Sequence, residues 1–459
     1  MTDTIRTTKK DVIWNYIGTA ASMASGFVLL PVLIRYLTSD ELGLWYVLVA
    51  ISNLASMFEF GFNPTFARNI VYVMSGAQSL KSGDKHDAPN AEHINWHLLN
   101  VLVITAKRVY SAIAVVGILG LALFGSIYIR YVTAGMDERV VWLSWIIFCV
   151  AIFINIYFLY SITLLRGYGD IEGENKAKTA SRIIQLLVSA VLLFCGAGLI
   201  GASIGYLANG VFLRLFAGMR LRKHKEVERG RSGDSNSPTN SEIRETLSDV
   251  GGIAWRDGFV QIACYASTQA MSIVGSLAVG LGETGSYSVL LQLGTAVYNF
   301  ASAYPKSFYP AFQAAFACRD ISGEAQIVSK CIRAYWSLFI FGVLGVLFVV
   351  FPVLPIVKPE FIPNVRLFLL MSVYLALWQH HSMACNFIIG MNEIPYVKSY
   401  VAAAIAGVLL SFVLSACAGL GEWGLVIGQA IPQALYNNWK WPGYLARKMQ
   451  TNYFRLLVA

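Results

Sequence analysis

The stretch Val250-Gly-Gly-Ile-Ala-Trp-Arg-Asp-Gly-Phe-Val-Gln-Ile-Ala-Cys264 places two opposite charges, Arg256 and Asp257, near the start of a long apolar segment. A single Arg or Asp at the centre of a membrane-spanning helix costs about 2.5–3.5 kcal/mol on insertion scales. Adjacent opposite charges in such a segment therefore need each other, a facing helix or a water-filled cavity. We expect them to line a polar cavity between two helical lobes in a membrane. A local ion pair near the inner surface is the alternative.

The composition excludes an ordinary soluble protein. Charged residues make up 13% of the 459-residue chain and hydrophobic residues 56%, whereas soluble domains carry about 25% charged residues. The apolar residues form long runs, and a hydrocarbon core of about 30 Å requires about 20 of them per helix. Backbone groups in lipid must be hydrogen-bonded internally, which favours helices over strands. The seven cysteines lack CxxC spacing, so neither a disulfide framework nor a metal site is expected.

The apolar runs predict an all-α integral membrane protein with twelve transmembrane helices in two six-helix lobes. We expect a pseudo-two-fold axis to relate the two lobes. The predicted spans are 12–35, 42–65, 109–130, 141–165, 178–199, 201–220, 250–280, 284–309, 333–357, 363–390, 397–418 and 421–445.

The segments that join these spans are alternately rich and poor in Lys and Arg. With the N-terminus inside, 29 of the 35 basic residues fall on the inner side and five on the outer side, and Arg256 lies within a span. This bias predicts a multi-pass protein of the cytoplasmic (inner) membrane with both termini cytoplasmic. The basic residues form no stripe with interleaved aromatics, so no nucleic-acid partner is expected.

A hydrophilic interval divides the chain into an N-terminal lobe at 1–220, a turn-rich cytoplasmic linker at 221–248 that we expect to be mobile, and a C-terminal lobe at 249–459. The two halves resemble each other at an offset of 242 residues. Glu41-Leu-Gly43-Leu-Trp45 aligns with Glu283-Thr-Gly285-Ser-Tyr287, and each opens the second span of its half. Transporters are often built from such repeats, with the substrate site at the interface.

Polar residues inside or beside the spans are the candidate site residues. Glu59 is expected to face a bundle interior, where it pairs with a cation or takes up a proton; the alternative is a solvated interfacial carboxylate. Lys306 and Arg68 are expected at helix ends near one vestibule, or else extended to lipid phosphates. Asn15 aligns with Asp257 and is a candidate polar group of the cavity.

The histidine pairs carry weaker signals. His380 and His381 are a candidate proton relay, but an interhelical hydrogen bond is favoured. His93 and His97 have the spacing of two metal ligands on one helix face, without an evident third ligand, and their segment favours an amphipathic surface helix. Walker A, HExxH and GxSxG motifs are absent from the sequence, so we expect neither an enzyme nor a cofactor.

The N-terminal motifs resemble those of the polysaccharide transporter family, the O-antigen (Wzx-like) flippases of the multidrug/oligosaccharidyl-lipid/polysaccharide exporter (MOP) superfamily. They are Asn15-Tyr-Ile-Gly18, Leu30-Pro-Val-Leu-Ile-Arg35-Tyr-Leu-Thr-Ser-Asp-Glu41-Leu-Gly43-Leu-Trp45 and Glu59-Phe-Gly61-Phe-x5-Arg68. Members usually carry Asp where Glu59 stands.

The resemblance implies a cationic cavity through which the glycan and diphosphate of an undecaprenyl-diphosphate-linked oligosaccharide pass by alternating access. Arg256 is then the candidate for binding the diphosphate, with Lys306, Arg68 and Asn15 as further substrate contacts. Glu59 and Asp257 are the candidates for coupling to H⁺ or Na⁺. Membrane lipids and other polysaccharide-assembly proteins are the expected partners.

Two other classes remain open from the sequence. A cation-coupled exporter of drugs or metabolites could use the same architecture, with an acidic, aromatic-lined cavity instead of a basic one. A membrane-bound polymerase or acyltransferase is disfavoured, because the predicted outer loops are short and nearly featureless.

Overall fold

A computed structural model describes residues 28–59, 61–74, 94–233, 236–317, 319–391, 393–453 and 456, without the side chains at 64, 252–257, 310, 311, 313, 314 and 317. Within these ranges every regular element is helical. The helices of the first half are α1 (28–36), α2 (Ser39–Met57), α3 (Phe62–Met74), α4 (Trp96–Val132), α5 (Glu138–Tyr157), α6 (Tyr160–Gly167), α7 (Ile171–Phe194) and α8 (Gly198–Leu221).

The remaining helices are α9 (Lys225–Gly233), α10 (Asn240–Ala266), α11 (Met271–Ala278), α12 (Leu281–Ala317), α13 (Ile321–Val357), α14 (Val365–Gly390), α15 (Val397–Cys417), α16 (Glu422–Pro432) and α17 (Asn438–Lys448). A π-helical turn, Gln433–Asn437, joins the last two.

The predicted all-α membrane fold is confirmed. Each predicted span from the second to the twelfth coincides with one or two of these helices, and the first is described only from residue 28. Six helical segments of the described ranges are long and apolar enough to cross a membrane. The turn between the fifth and sixth spans lies at Gly196, whose φ of +83° is a conformation that glycine adopts without strain.

The described residues form two compact units. Unit 1 contains those up to Tyr36 and those of Ile51–Ile262, and unit 2 contains Leu37–Ala50 and the residues from Ala263 onward. Helix α2 therefore begins in unit 2 and ends in unit 1, while α10 begins in unit 1 and ends in unit 2. The lobe boundaries predicted at 220 and 249 stay a prediction.

The repeated Glu-x-Gly-x-aromatic motif forms a close helix contact inside unit 2. Thr38 and Glu41 make a reciprocal capping box at the start of α2, in which the Thr38 amide donates to Glu41 Oε2 over 2.9 Å and the Glu41 amide to Thr38 Oγ1 over 3.2 Å. A Cβ on Gly43 would lie 1.9 Å from the carbonyl oxygen of Leu281, and one on Gly285 would lie 3.0 Å from the Gly43 nitrogen. The two aligned glycines therefore let α2 and α12 meet backbone to backbone.

The interval 221–248 differs from the turn-rich linker that the sequence predicts. It contains helix α9 and the first turns of α10. Val227 is buried in the hydrophobic core of unit 1, and Gly230 packs so closely that a Cβ there would lie 2.4 Å from the Trp96 ring. Val227 and Gly230 thus pack the charged helix α9 against unit 1.

Polar contacts hold both ends of this interval on unit 1. Asn100 and Arg231 exchange two hydrogen bonds, of 2.9 and 2.8 Å, and Arg108 Nη1 donates to Asn240 Oδ1 over 2.8 Å. Thr239 and Glu242 form a second capping box at the start of α10. These contacts fix the course of the chain from α8 to α10.

Two carboxylates of this region have pKa values below their ordinary range. Burial alone would raise the pKa of Asp170, but hydrogen bonds from His224, Arg220 and the Gly173 amide outweigh burial and lower it. The Thr239 amide and the ring of His97, which is 2.9 Å from Glu242 Oε1, lower the pKa of Glu242 to about 2. His97 is thus bound to a carboxylate; His93 lies outside the described residues.

Candidate functional site

The structure describes the side chains of only some of the predicted site residues. Arg256 and Asp257 lie in α10, but their side chains are outside the described part of the chain, as is all of Asn15. Arg68 on α3 and Lys306 on α12 are exposed. The site roles of all five remain predictions.

Glu59 lies where the second predicted span breaks. Helix α2 ends at Met57, the Phe62 amide donates to the Glu59 carbonyl over 2.9 Å, and Gly61 has a φ of +74°. Only glycine takes this left-handed conformation without strain, so the motif around Gly61 specifies the interruption. Discontinuous spanning helices of this kind supply polar groups to binding sites in transporters.

The Glu59 carboxyl is half-buried, and its Oε2 atom is buried without a hydrogen-bond partner among the described residues. Two arginines of unit 1, Arg166 and Arg214, are near enough to act on it electrostatically. Both are among the 29 basic residues that the charge distribution places on the inner side. The available signal was Arg214 itself, which lies inside the predicted span 201–220.

The guanidinium of Arg214 has one hydrogen-bonded nitrogen and one buried nitrogen without a partner among the described residues. Its Nη2 donates to the Asn155 carbonyl over 2.7 Å, whereas its Nε is buried without a partner among the described residues. A Cβ on Gly210 would lie 3.0 Å from Asn155 Oδ1, so α8 packs against α5 just before the arginine. A guanidinium held by one edge presents its remaining donors to an anion.

Arg166 is held by a neighbouring carboxylate. Its Nη2 and Nε lie 2.5 and 3.1 Å from the two oxygens of Glu174, which also accepts from Lys178 Nζ over 2.6 Å. Glu174 is 3% exposed. This ion cluster neutralises Glu174 and fixes Arg166, so that Arg166 is positioned on the side of Glu59.

Hydroxyl and amide groups continue the polar cluster around Glu59. Thr163 Oγ1 donates to Asn63 Oδ1 over 2.9 Å and lies 3.4 Å from the buried hydroxyl of Tyr110. Within α2, before Glu59 in the chain, the hydroxyl of Ser52 lies 2.7 Å from the hydroxyl of Tyr206. The second predicted span is thus joined to the fourth through Asn63 and to the sixth through Ser52, both within unit 1.

Unit 2 contains a buried ladder of neutral polar side chains. Along α16, its π turn and α17, Asn437 Nδ2 donates to Gln433 Oε1 over 2.8 Å and Trp441 Nε1 donates to Asn437 Oδ1 over 2.9 Å. Gln433 also donates to Ser267 Oγ over 3.3 Å. Ser267 belongs to the break between α10 and α11, so the ladder supports an interrupted helix.

Both central histidines are hydrogen-bonded across helices. His381 Nδ1 lies 2.8 Å from Asn438 Oδ1, and His380 Nε2 is bonded to the hydroxyl of Tyr453. This agrees with the interhelical bond that the sequence favours over a proton relay. Within the described ranges, no group of three or more His, Cys, Asp or Glu residues could hold a metal ion.

The amino-acid sequence matches a known protein family. The model of a family described as "Polysaccharide biosynthesis protein" matches residues 8–316, about two thirds of the chain. The chain belongs to this family. None of the curated proteins matches it by sequence.

Solved structures share its fold over almost the full length. An inward-facing multidrug resistance MATE family transporter of the MOP superfamily has a TM-score of 0.69 at 13% identity, covering 94% of both chains. The lipid II flippase MurJ in an inward closed conformation has a TM-score of 0.63 at 12% identity, covering 98% of this chain and 90% of the other. A MOP superfamily transporter from Pyrococcus furiosus, described as having a binding pocket of reverse polarity, has a TM-score of 0.60 at 16% identity, with 98% of both chains covered.

These structures share the predicted fold with this chain. The chain has the MOP fold, and it is a multi-pass membrane protein of a polysaccharide biosynthesis family. The neighbours themselves are named as transporters and a flippase.

Proposed function

We propose that this protein is a flippase that carries an undecaprenyl-diphosphate-linked oligosaccharide across the cytoplasmic membrane by alternating access. The observation that carries the proposal is the family match. Two features support it: a fold shared with a lipid II flippase, and the half-buried arginines Arg166 and Arg214 of unit 1. Both termini are cytoplasmic in this proposal, as the distribution of Lys and Arg predicts.

The diphosphate is the part of the substrate that requires basic side chains. Arg256 is the proposed primary contact, with Lys306, Arg68 and Asn15 as further substrate contacts. To these we add Arg214, because its buried Nε has no partner among the described residues. Arg is suited to this task since its planar fork of donors matches phosphate oxygens.

Glu59 and Asp257 are the proposed coupling residues, for H⁺ or Na⁺. A half-buried carboxyl with one partnerless oxygen gains a partner when it binds a proton or a cation. Because Arg166 and Arg214 act on the same carboxyl, protonation of Glu59 would remove their counter-charge and favour an anionic substrate beside them. Coupling and substrate binding would then share one cluster.

The test is complementation of a strain that lacks the gene, with surface glycan and membrane-inserted protein measured together. Arg256→Ala, Arg214→Gln and Glu59→Gln should each abolish or strongly reduce surface glycan at unchanged protein level. The matched controls are Arg222→Ala and Glu360→Gln, which change exposed residues and should leave glycan display unchanged. Normal display by the Arg256 and Arg214 variants together would refute the proposed diphosphate site.

A cation-coupled exporter of drugs or metabolites is the second candidate, and the carboxyl of Glu59 is the observation that favours it. The same strain separates the two functions. Loss of surface glycan with unchanged drug resistance supports the flippase, whereas increased drug sensitivity with normal glycan supports the exporter.

A further inference from the structure

The end of unit 2 at which α2 and α12 begin carries an open depression of about 630 Å³. Binding sites for small ligands commonly measure about 300–1,000 Å³, so the depression has room for a ligand of a few rings. Its walls are the first turns of α12, the loop before α14 and the loop between α15 and α16. According to the predicted topology, this end faces outward.

Two carboxylates share the depression. Glu283 is exposed and Glu422 is half-buried. The Oε2 atom of Glu283 lies 3.6 Å from the position where a Cβ on Gly421 would stand, so the carboxylate reaches over the turn that carries Glu422. The depression therefore presents acceptor oxygens and a local negative charge.

The loops around the carboxylates are set by backbone geometry and caps. Gly421 has a φ of +53°, and the following turn is closed by hydrogen bonds from the Trp423 amide to the Leu420 carbonyl and from the Gly424 amide to the Gly421 carbonyl, both 3.1 Å long. This turn holds the Trp423 ring in the wall of the depression. The aromatic surface is thus built into the loop.

The other polar groups complete a mixed lining. Asn364 caps α14 with its Oδ1, which accepts from the Leu367 amide over 3.1 Å, so its NH₂ group is the one that remains to donate. Ser286 adds a hydroxyl and Phe361 a second aromatic ring. Acceptors, donors and flat apolar rings at one place match a sugar, whose hydroxyls need both kinds of partner and whose ring faces are apolar.

We propose that this depression is an exit subsite that binds the uncharged hydroxyl groups and apolar ring faces of the transported glycan. The inference rests on the proposed function and names where the glycan is received. The exposed carboxylate of Glu283 repels phosphate, and both carboxyl groups accept hydrogen bonds from hydroxyls, so the subsite favours the glycan over the diphosphate.

The experiment measures ligand binding to the full-length protein in lipid nanodiscs by saturation-transfer NMR. The probe is the repeat-unit oligosaccharide released by mild acid from the host's surface polysaccharide, with inorganic pyrophosphate and tetraethylammonium as comparison probes. The variants Trp423→Ala and Glu283→Gln combined with Glu422→Gln should weaken oligosaccharide binding about tenfold, the effect of losing one or two hydrogen bonds to a charged group. Glu360→Gln, in the same loop but outside the lining, should bind as the unchanged protein does.

Three results would overturn the inference: no oligosaccharide binding, binding unaffected by the variants, or tetraethylammonium binding that the oligosaccharide does not displace. The last would identify the depression as a site for organic cations. Failure of the proposed function is a separate result, namely surface glycan that persists in the strain lacking the gene. If that strain loses its glycan while the pocket variants bind and export normally, only the subsite is rejected.

Discussion

Alanine at Gly43 should destabilise unit 2, although alanine is the better helix former. A Cβ on Gly43 would lie 1.9 Å from the Leu281 oxygen and 2.6 Å from its carbonyl carbon, whereas carbon atoms in contact are about 3.5 Å apart. Because the obstacle is backbone, α2 and α12 must separate. Such overpacking costs about 1–3 kcal/mol, and the higher helix propensity of alanine returns about 1 kcal/mol.

The assay is the Tm of the detergent-solubilised protein for a graded series of glycine-to-alanine variants. Gly43→Ala should lower the Tm by a few degrees, and Gly285→Ala, whose nearest atoms are 3.0 Å away, should lower it less. Gly117→Ala is the control, because a Cβ there meets nothing within 4 Å, and its Tm should stay equal or rise. A Tm of Gly43→Ala at or above that of Gly117→Ala would refute the close contact.

The other predictions concern the linker, its anchors and the buried arginine. Val227→Asp buries a charge in the core of unit 1 and should make the interval 221–233 cleavable by trypsin within minutes, while Glu226→Asp, at an exposed position, should leave cleavage slow. Asp170→Asn should lower stability by about 1–2 kcal/mol at pH 7, a value discounted because Arg220 is half exposed. Since the pKa of Asp170 is lowered in the folded protein, its contribution is full above the ordinary value of 3.8 and is lost as the pH falls through the folded-state pKa. The Tm difference from Asp170→Asn should therefore stay constant from pH 8 to 5 and close below about pH 4. Arg214→Leu should abolish glycan display but keep the Tm, because a half-buried arginine whose Nε has no partner among the described residues contributes little to stability; a large drop in Tm would assign it a structural role.

The helices could be predicted because the residues that cause them can be read directly from the sequence. Long apolar runs have no stable alternative to helices in lipid, and the turns that separate them carry recognisable residues such as Gly196. The sequence shows Gly61 within a motif but does not predict that the second span breaks there. The break depends on the positive φ of Gly61, which only the structure gives. The contact between Gly43 and Gly285 was visible only as a repeated motif. Its meaning required knowing that the two helices meet.

The linker shows a different limit. Its polar composition predicts a turn-rich connection, but composition averages over a single buried residue, Val227, that docks a helix. The Thr239-Asn-Ser-Glu242 capping box was a readable local signal for the start of α10. Arg214 was missed for a related reason: it was assigned by position along the chain to the inner loops, whereas the structure places it beside Glu59.

The polar ladder of unit 2 and the pair of Glu59 and Arg214 in unit 1 differ in how their polar groups are satisfied. In unit 2 the ladder of Gln433, Asn437 and Trp441 satisfies its groups with one another, and neutral amides are the less costly way to join helices in a membrane. In unit 1, Glu59 and Arg214 are ionisable, and each keeps a buried atom without a partner among the described residues. A charged group that only joined helices would be fully paired, since an unpaired buried charge is strongly unfavourable. The buried atoms of Glu59 and Arg214 that lack a partner support the roles proposed for them, because a coupling ion and an anionic headgroup would each supply a partner during part of the transport cycle.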